Sequence, residues 1–287
     1  MSPDLTRNYP NIIPDNNLRL PDALTIVHGP APLLARFVLE GDKAARSRGI
    51  TLRLRHDFEE LVYLNRQHVG DGSWFRLVNS FNPEYTDLSP ENSYWMSGED
   101  DSGDIVVSWA GRVYYWPDST LVTEARKMFY GREDERPCVV TAPAAAAITG
   151  LVLFAGSSWI RPDLRGRHIS QLIPRIGKAY AMARWPLDWV IAYVSRILVD
   201  KGVGAGFGYR NFSYSIFYPA SPWGDLEVAL GYAPAAEVYE DFANFLSSEL
   251  SSATGANTGE LLSSSSLDSI VTKTSSEGVF HGSSNRS

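Results

Sequence analysis

Residues 160–184, IRPDLRGRHISQLIPRIGKAYAMAR, run from a Pro/Gly/Arg loop into an amphipathic helix. Leu172, Ile173, Ile176, Ala179, Tyr180 and Met182 recur at helical spacing. A proline inside a helix loses a hydrogen bond and clashes with the preceding turn. A helix starting near Ser170 would put Pro174 at the end of its first turn, where a missing N–H costs least. An apolar run flanks this segment on each side. Ile148–Ile160 (ITGLVLFAGSSWI) and Trp189–Val194 (WVIAYV) both read as buried strands. Strand, loop, helix, strand is the pattern of a parallel crossover.

Upstream, Ile50–Leu54 (ITLRL) alternates as a strand does. Asp57 with Glu60 three residues on reads as an N-cap and capping-box partner. The helix that follows carries Phe58, Leu61, Val62 and Tyr63 on one face and closes at Gly70. Asn92–Ser97 and Ile105–Trp116 read as strands of a meander around the turn GEDDSGD. Ser119–Gly131 reads as a helix capped at Ser119 or Thr120, and Pro117–Ala147 as an insertion ahead of the first central strand. Downstream, Ser195–Gly202 reads as a short helix. Phe212, Tyr214, Ile216 and Tyr218 would share one face of a strand, and Leu226, Val228 and Leu230 one face of its hairpin partner. Ala235–Leu246 reads as a last amphipathic helix. The order β-α-β-β-(α)-β-α-β-α-β-β-α implies an α+β protein, an α/β sandwich with a mixed, mostly antiparallel sheet flanked by helices.

The 287 residues are 44% apolar and 21% charged, enough for a sizeable core. A net charge of -7 and a pI near 5.3 argue against a general nucleic-acid binder. The longest apolar run, Ala144–Ala155, is interrupted by Thr149 and Gly150 and is shorter than a spanning helix requires. The N-terminus has no signal-like h-region. The lone Cys138 excludes a disulfide framework. A cytoplasmic protein without membrane partners is the expectation. Residues 1–22 are Pro- and Asn-rich, and the stretch from about Ser251 is dominated by Ser, Thr, Gly and Asn. We therefore expect a partly disordered N-terminal extension over 1–45, one domain over 46–248 and a disordered Ser-rich tail over 249–287. Leu261, Leu262, Ile270 and Val271 in that tail fit either a short partner motif or plain solvated chain.

The chemistry-bearing candidate is the loop Ile160–Ser170. A tight turn opening a helix offers backbone N–H groups and the positive end of a helix dipole. Arg161, Arg165 and Arg167 add charge. Such a loop suits a phosphate or pyrophosphate; the alternative is a surface loop of solvated arginines.

With these residues in place, the chain resembles the GCN5-related N-acetyltransferase (GNAT) superfamily. The family's acyl-CoA motif runs hydrophobic-x-Pro-x-aromatic-Arg-Gly-x-Gly-Ile-Gly/Ala. Ile160, Pro162, Leu164, Arg165, Gly166, Arg167, His168, Ile169 and Ser170 stand in those places. Phe207-Gly208-Tyr209 stands where the family usually has a Gly-Phe dipeptide. The resemblance spans roughly residues 50–235. It implies a splay between the two central strands that admits the pantetheine arm of acetyl-CoA. The backbone of Ser158, Trp159 and Ile160 would pair with that arm, and the amides of Arg165 to Ser170 would hold the pyrophosphate. It also implies direct attack of an amine on the thioester; separately, the spacing of His56 and His68 offers no metal site.

Departures from the family pattern are His168 for a glycine, Ser170 for Gly or Ala, and Gly204 where the usual acid tyrosine stands. The Cβ of His168 would crowd the loop unless φ is negative and the ring turns outward. The remaining acid–base candidates are Tyr193 and Ser195 at the end of the second central strand, and Tyr209. Glu99, Asp100 and Asp101 read as solvated turn residues. His56 and His68 read as structural or exposed, and His281 lies in the tail. The aromatics Tyr94, Trp95, Trp109, Tyr114, Tyr115 and Trp116 are sheet packing or a wall for an apolar acceptor or acyl chain. The resemblance therefore implies an N-acetyltransferase acting on a small-molecule or protein amine. The alternatives are a catalytically inactive CoA-binding or partner-binding module, and an enzyme using another acyl donor.

Overall fold

A computed structural model describes residues 18–131 and 134–250. Strands β1 (Thr51–Arg55), β2 (Ser93–Glu99), β3 (Ile105–Trp116), β4 (Val139–Val140), β5 (Gly150–Ile160), β6 (Trp189–Ser195), β7 (Asn211–Ser221) and β8 (Gly224–Pro234) form one sheet. Its order is β1-β2-β3-β5-β6-β8-β7-β4. Every neighbouring pair is antiparallel except β5 and β6, which are parallel and joined through helix α4 (Ile169–Arg184). The α+β sandwich expected from the element order is the fold found.

Helices cover both faces. On one face, α4 packs with α1 (Ala31–Arg46) and α7 (Ala235–Phe245) over a core that includes Phe37, Ile176 and Phe242. On the other, α2 (Phe58–Gly70) and α3 (Leu121–Tyr130) cover a second core with Leu61, Met128 and Phe154. Each fully buried apolar side chain contributes roughly 1.5–3 kcal/mol. Two short helices, α5 (Arg196–Asp200) and α6 (Val203–Gly206), link β6 to β7.

Several local expectations change. The N-terminal stretch contributes α1, whose Leu34, Phe37 and Val38 are fully buried. It starts after Pro30 with no side-chain cap, so it lacks the punctuation that marks a helix start in sequence. Asp57 caps α2 by accepting from the N–H groups of Glu59 and Glu60, but the Glu60 carboxylate pairs with Arg55 instead of completing a capping box. Tyr63 is exposed rather than on the core face. Pro174 is the sixth residue of α4, beyond its first turn. Tyr214 and Phe212 do not share a face with Ile216 and Tyr218. A register shift between Ser213 and Ile216 turns the strand over, so that Phe212 packs on the α4 side and Ile216 and Tyr218 on the α3 side. Glu99 and Asp100 are half-buried in ion pairs rather than free in solvent. Glu99 pairs with Arg53 and Arg55, and Asp100 with Arg161. The span Pro117–Ala147 contributes α3, β4 and a short 3₁₀ turn. The partner motif in the tail and His281 lie outside the described residues.

Candidate active site

The β5–β6 ladder pairs only Val152–Ala155 with Trp189–Ala192. Beyond it β5 stays with β3, and β6 stays with β8 through Tyr193, Val194 and Ser195. The cause is local. Trp109 of β3 is opposed by two residues of β5, Ser157 and Ser158, and Ser157 takes φ 54°. This bulge bends β5 away from its parallel neighbour. A cavity of about 310 Å³ occupies the opening.

Of the sequence candidates, Tyr193, Ser195, Tyr209, Ser158, Trp159, Ile160, Arg165 and Ser170 line this cavity. Gly166, Arg167, His168 and Ile169 do not. Ile169 is buried in the core under α4, while Gly166 and Arg167 are exposed. Trp109, one of the aromatics offered as a wall, and Phe207 also line it, as do Ser157, Pro174 and the segment Ser73–Val78 after α2, which the sequence reading did not assign to the site. A bulge and a draped loop have no local signature, so only register could reveal them.

The side chains of Arg161 and Arg165 are committed. Arg161 pairs with Asp163 at 2.7 Å and Asp100 at 2.9 Å. Arg165 donates to the carbonyls of Ile160 at 3.1 Å and Ser73 at 3.0 Å. Arg165 thus ties the Ser73–Val78 segment to the loop through these carbonyls. Arg167 is exposed, and its carbonyl accepts from Arg48 at 2.9 Å. His168 has φ 59° and Gly166 φ 83°. The negative φ required of His168 is therefore not adopted. The chain keeps the left-handed backbone a glycine would take, which histidine tolerates better than most residues.

The trio expected to do acid–base work separates by environment. Tyr193 packs edge-on against Phe154, with its hydroxyl 3.8 Å from Met128 Sδ, and burial pushes the phenol far up. Ser195 sits at the start of α5, half-buried. Tyr209 is 3% exposed; its hydroxyl is buried without a hydrogen-bond partner, and burial raises it strongly. Ser157 Oγ is likewise buried and unpartnered. Both residues line the cavity, and their unsatisfied hydroxyls mark a place where a ligand could complete the hydrogen bonding.

Trp159 turns to the opposite face, stacked between His68 at 4.1 Å and Trp74 at 5.2 Å. Of the meander aromatics, Tyr94, Trp95 and Trp116 are core, Tyr115 is exposed, and Trp109 lines the cavity. A larger cleft of about 1310 Å³ lies between α2, the end of α3 and the β7–β8 turn at Trp223, and shares Arg76 and Leu77 with the cavity. Among the described residues no cluster of three His, Cys, Asp or Glu could hold a metal ion, and no helix is long and apolar enough to cross a membrane. Cys138 is half-buried, and burial pushes its thiol up to about 11.

No family model matches the chain, and no curated protein matches it significantly. Solved structures similar to it include an uncharacterized protein from Bacillus halodurans (16% identity, 68% of this chain and 90% of that chain, TM-score 0.37). Another is NAA60 of Arabidopsis thaliana in complex with acetyl-CoA (12% identity, 65% and 99%, TM-score 0.39). A third is a GNAT-family acetyltransferase from Streptococcus agalactiae (12% identity, 76% and 98%, TM-score 0.32). Likenesses this distant carry no weight for the chemistry, which has to be argued from the cavity itself.

Proposed function

We propose that the chain is an acyl-CoA-dependent N-acyltransferase, in its simplest form an N-acetyltransferase, working in the cytoplasm. The observation that carries this reading is the parting of β5 from β6 after Ala155 and Ala192. Beyond it β5 is no longer paired with β6, although the Ile160 carbonyl accepts from Arg165, and a cavity fills the opening beside the loop that opens α4. An extended thioester arm can lie along Ser158–Ile160, where β6 has left β5. The first turn of α4, following φ 83° at Gly166 and φ 59° at His168, suits the pyrophosphate. The larger cleft gives the amine, small molecule or protein, its way to the thioester. The amine nitrogen forms a bond to the carbonyl carbon as the carbon–sulfur bond breaks. Tyr209 Oη supplies a proton to the departing sulfur, and the surplus proton of the acylated amine returns to the phenolate.

The experiment is a thermal-shift series over acyl-CoAs, followed by thiol release over amines. Acetyl-CoA at a hundred times its Kd should stabilise the fold by about 2.7 kcal/mol. No shift with acetyl-CoA or longer acyl-CoAs would overturn the reading. Binding without thiol release would favour a CoA-binding module lacking transfer, a reading supported by the engagement of Arg161 and Arg165 with protein partners.

A further inference from the structure

Lys178 of α4 is 1% exposed. Its Nζ donates to the carbonyls of Phe207 at 2.9 Å and Gly208 at 3.0 Å, the two residues just before Tyr209. The same Nζ lies 4.4 Å from the centroid of the Tyr209 ring. The nearby carboxylate, Asp241 of α7, is taken by Arg175, which reaches it at 2.8 and 3.1 Å. Gly208 has φ 79°, and a Cβ there would fall 2.7 Å from Lys178 Nζ and 2.8 Å from Asp241 Oδ2, so the loop is seated directly on this cluster. Burying an ammonium that has no carboxylate of its own is costly. Its two hydrogen bonds to carbonyls offset part of that cost but bring no opposite charge. What the cation adds is charge behind the ring of a tyrosine that lines the cavity.

We infer that Lys178 is a positioning residue: it holds Tyr209 in the cavity wall and, as a cation on the ring face, makes that phenol a stronger acid toward the departing thiolate. This rests on the acyltransferase reading above. A cation on an aromatic face stabilises the phenolate more than the phenol. Proton transfer from Tyr209 Oη to sulfur as the carbon–sulfur bond breaks is then easier, and the surplus amine proton returns to the phenolate. The charged groups around Lys178 are Arg175 on its own helix and Asp241 on α7, with Tyr209 ahead of β7. Burial lowers the ammonium to about 7, Asp241 opposing the shift and Arg175 adding to it. Lys178 therefore loses its charge as pH rises through neutrality, and Tyr209 weakens as an acid with it.

The test is the pH profile of kcat with acetyl-CoA and the best acceptor from a panel of amino acids, polyamines, arylamines and peptide N-termini. Wild type should lose rate above about pH 7, through a limb belonging to Lys178. Lys178→Met should sit about tenfold lower below pH 7 and show no such limb, with the KM for acetyl-CoA within about twofold. Tyr209→Phe removes only an unpartnered hydroxyl, so it should fold, and it too should lack the limb; the double variant should be no slower than Tyr209→Phe alone. A limb that persists in Tyr209→Phe, or losses that multiply in the double variant, would overturn the role of Lys178 while leaving the acyltransferase reading intact. Absence of acetyl-CoA binding by wild type would overturn both.

Discussion

Ala155 and Ala192 are the last residues paired across the two parallel strands at the centre of the sheet. Ser157 and Ser158, just beyond Ala155, form the bulge that keeps β5 with β3 and releases β6. The opening follows from one extra residue in one strand, and the position of the cavity follows from the opening.

The loop ahead of α4 can be tested without disturbing the core. A Cβ at Gly166 meets nothing within 4 Å, although φ is 83° there. Aspartate enters the left-handed region at a cost of about 1–2 kcal/mol. We expect Gly166→Asp to fold, with a melting temperature lower by about 2–8 °C, and to lose the acyl-CoA-induced shift because a carboxylate now faces the phosphates. A full shift in the variant would exclude the loop from the binding site.

His168 reports on backbone strain in the same loop. With φ 59° and ψ 17°, it sits where β-branched side chains are poorly tolerated. His168→Val should lose about 1–2 kcal/mol more stability than His168→Gly in urea unfolding at equal m-value. Equal stabilities would mean that the loop relaxes to a negative φ.

Gly177 lets α4 rest on the sheet. A Cβ there would fall 2.4 Å from the Trp109 ring, and Trp109 also lines the cavity. Gly177→Ala should destabilise by about 1–3 kcal/mol through overpacking, despite the better helix propensity of alanine. It should also weaken acyl-CoA binding as the indole moves. Chemical denaturation together with thermal shift reads both effects, and a stabilised variant would contradict the packing described.

His56 sets an acid limit on stability. Burial, against a hydrogen bond from its Nδ1 to the Ser93 carbonyl, lowers the imidazole to about 4; Arg184 also lowers it and Glu91 opposes. The folded state keeps His56 neutral while the unfolded chain protonates near 6.5. This contribution is therefore whole above about pH 6.5 and is lost as pH falls toward 4, on the order of 2 kcal/mol allowing for solvent at the half-buried ring. His56→Gln should flatten the stability profile between pH 6.5 and 4, and an unchanged slope would assign it to other groups.

Residues close together in sequence could be read without coordinates. The alternation of Ile50–Leu54, the β-branched and aromatic composition of Ile105–Trp116, the cap at Asp57 and the helical face of Leu172 to Met182 all came out as elements where local pattern placed them. Helix α1 escaped because Pro30 offers no side-chain cap and the charged stretch Glu40–Arg46 masks its apolar face. The reversal of β7 escaped because a register shift is a property of two strands.

Taken alone, the chain's order of residues set the alternation of strands and helices and marked the turn into α4 as a candidate anion loop, since those depend on neighbours within a few positions. Only the folded molecule decided that Arg161 and Arg165 bond to protein partners, that Ser157 bends β5, and that Lys178 stands behind Tyr209. Lys178 and Tyr209 are 31 residues apart in the chain. Only the docking of α4 against the turn before β7 brings ammonium and ring together, and burial there gives the pair its electrostatic weight.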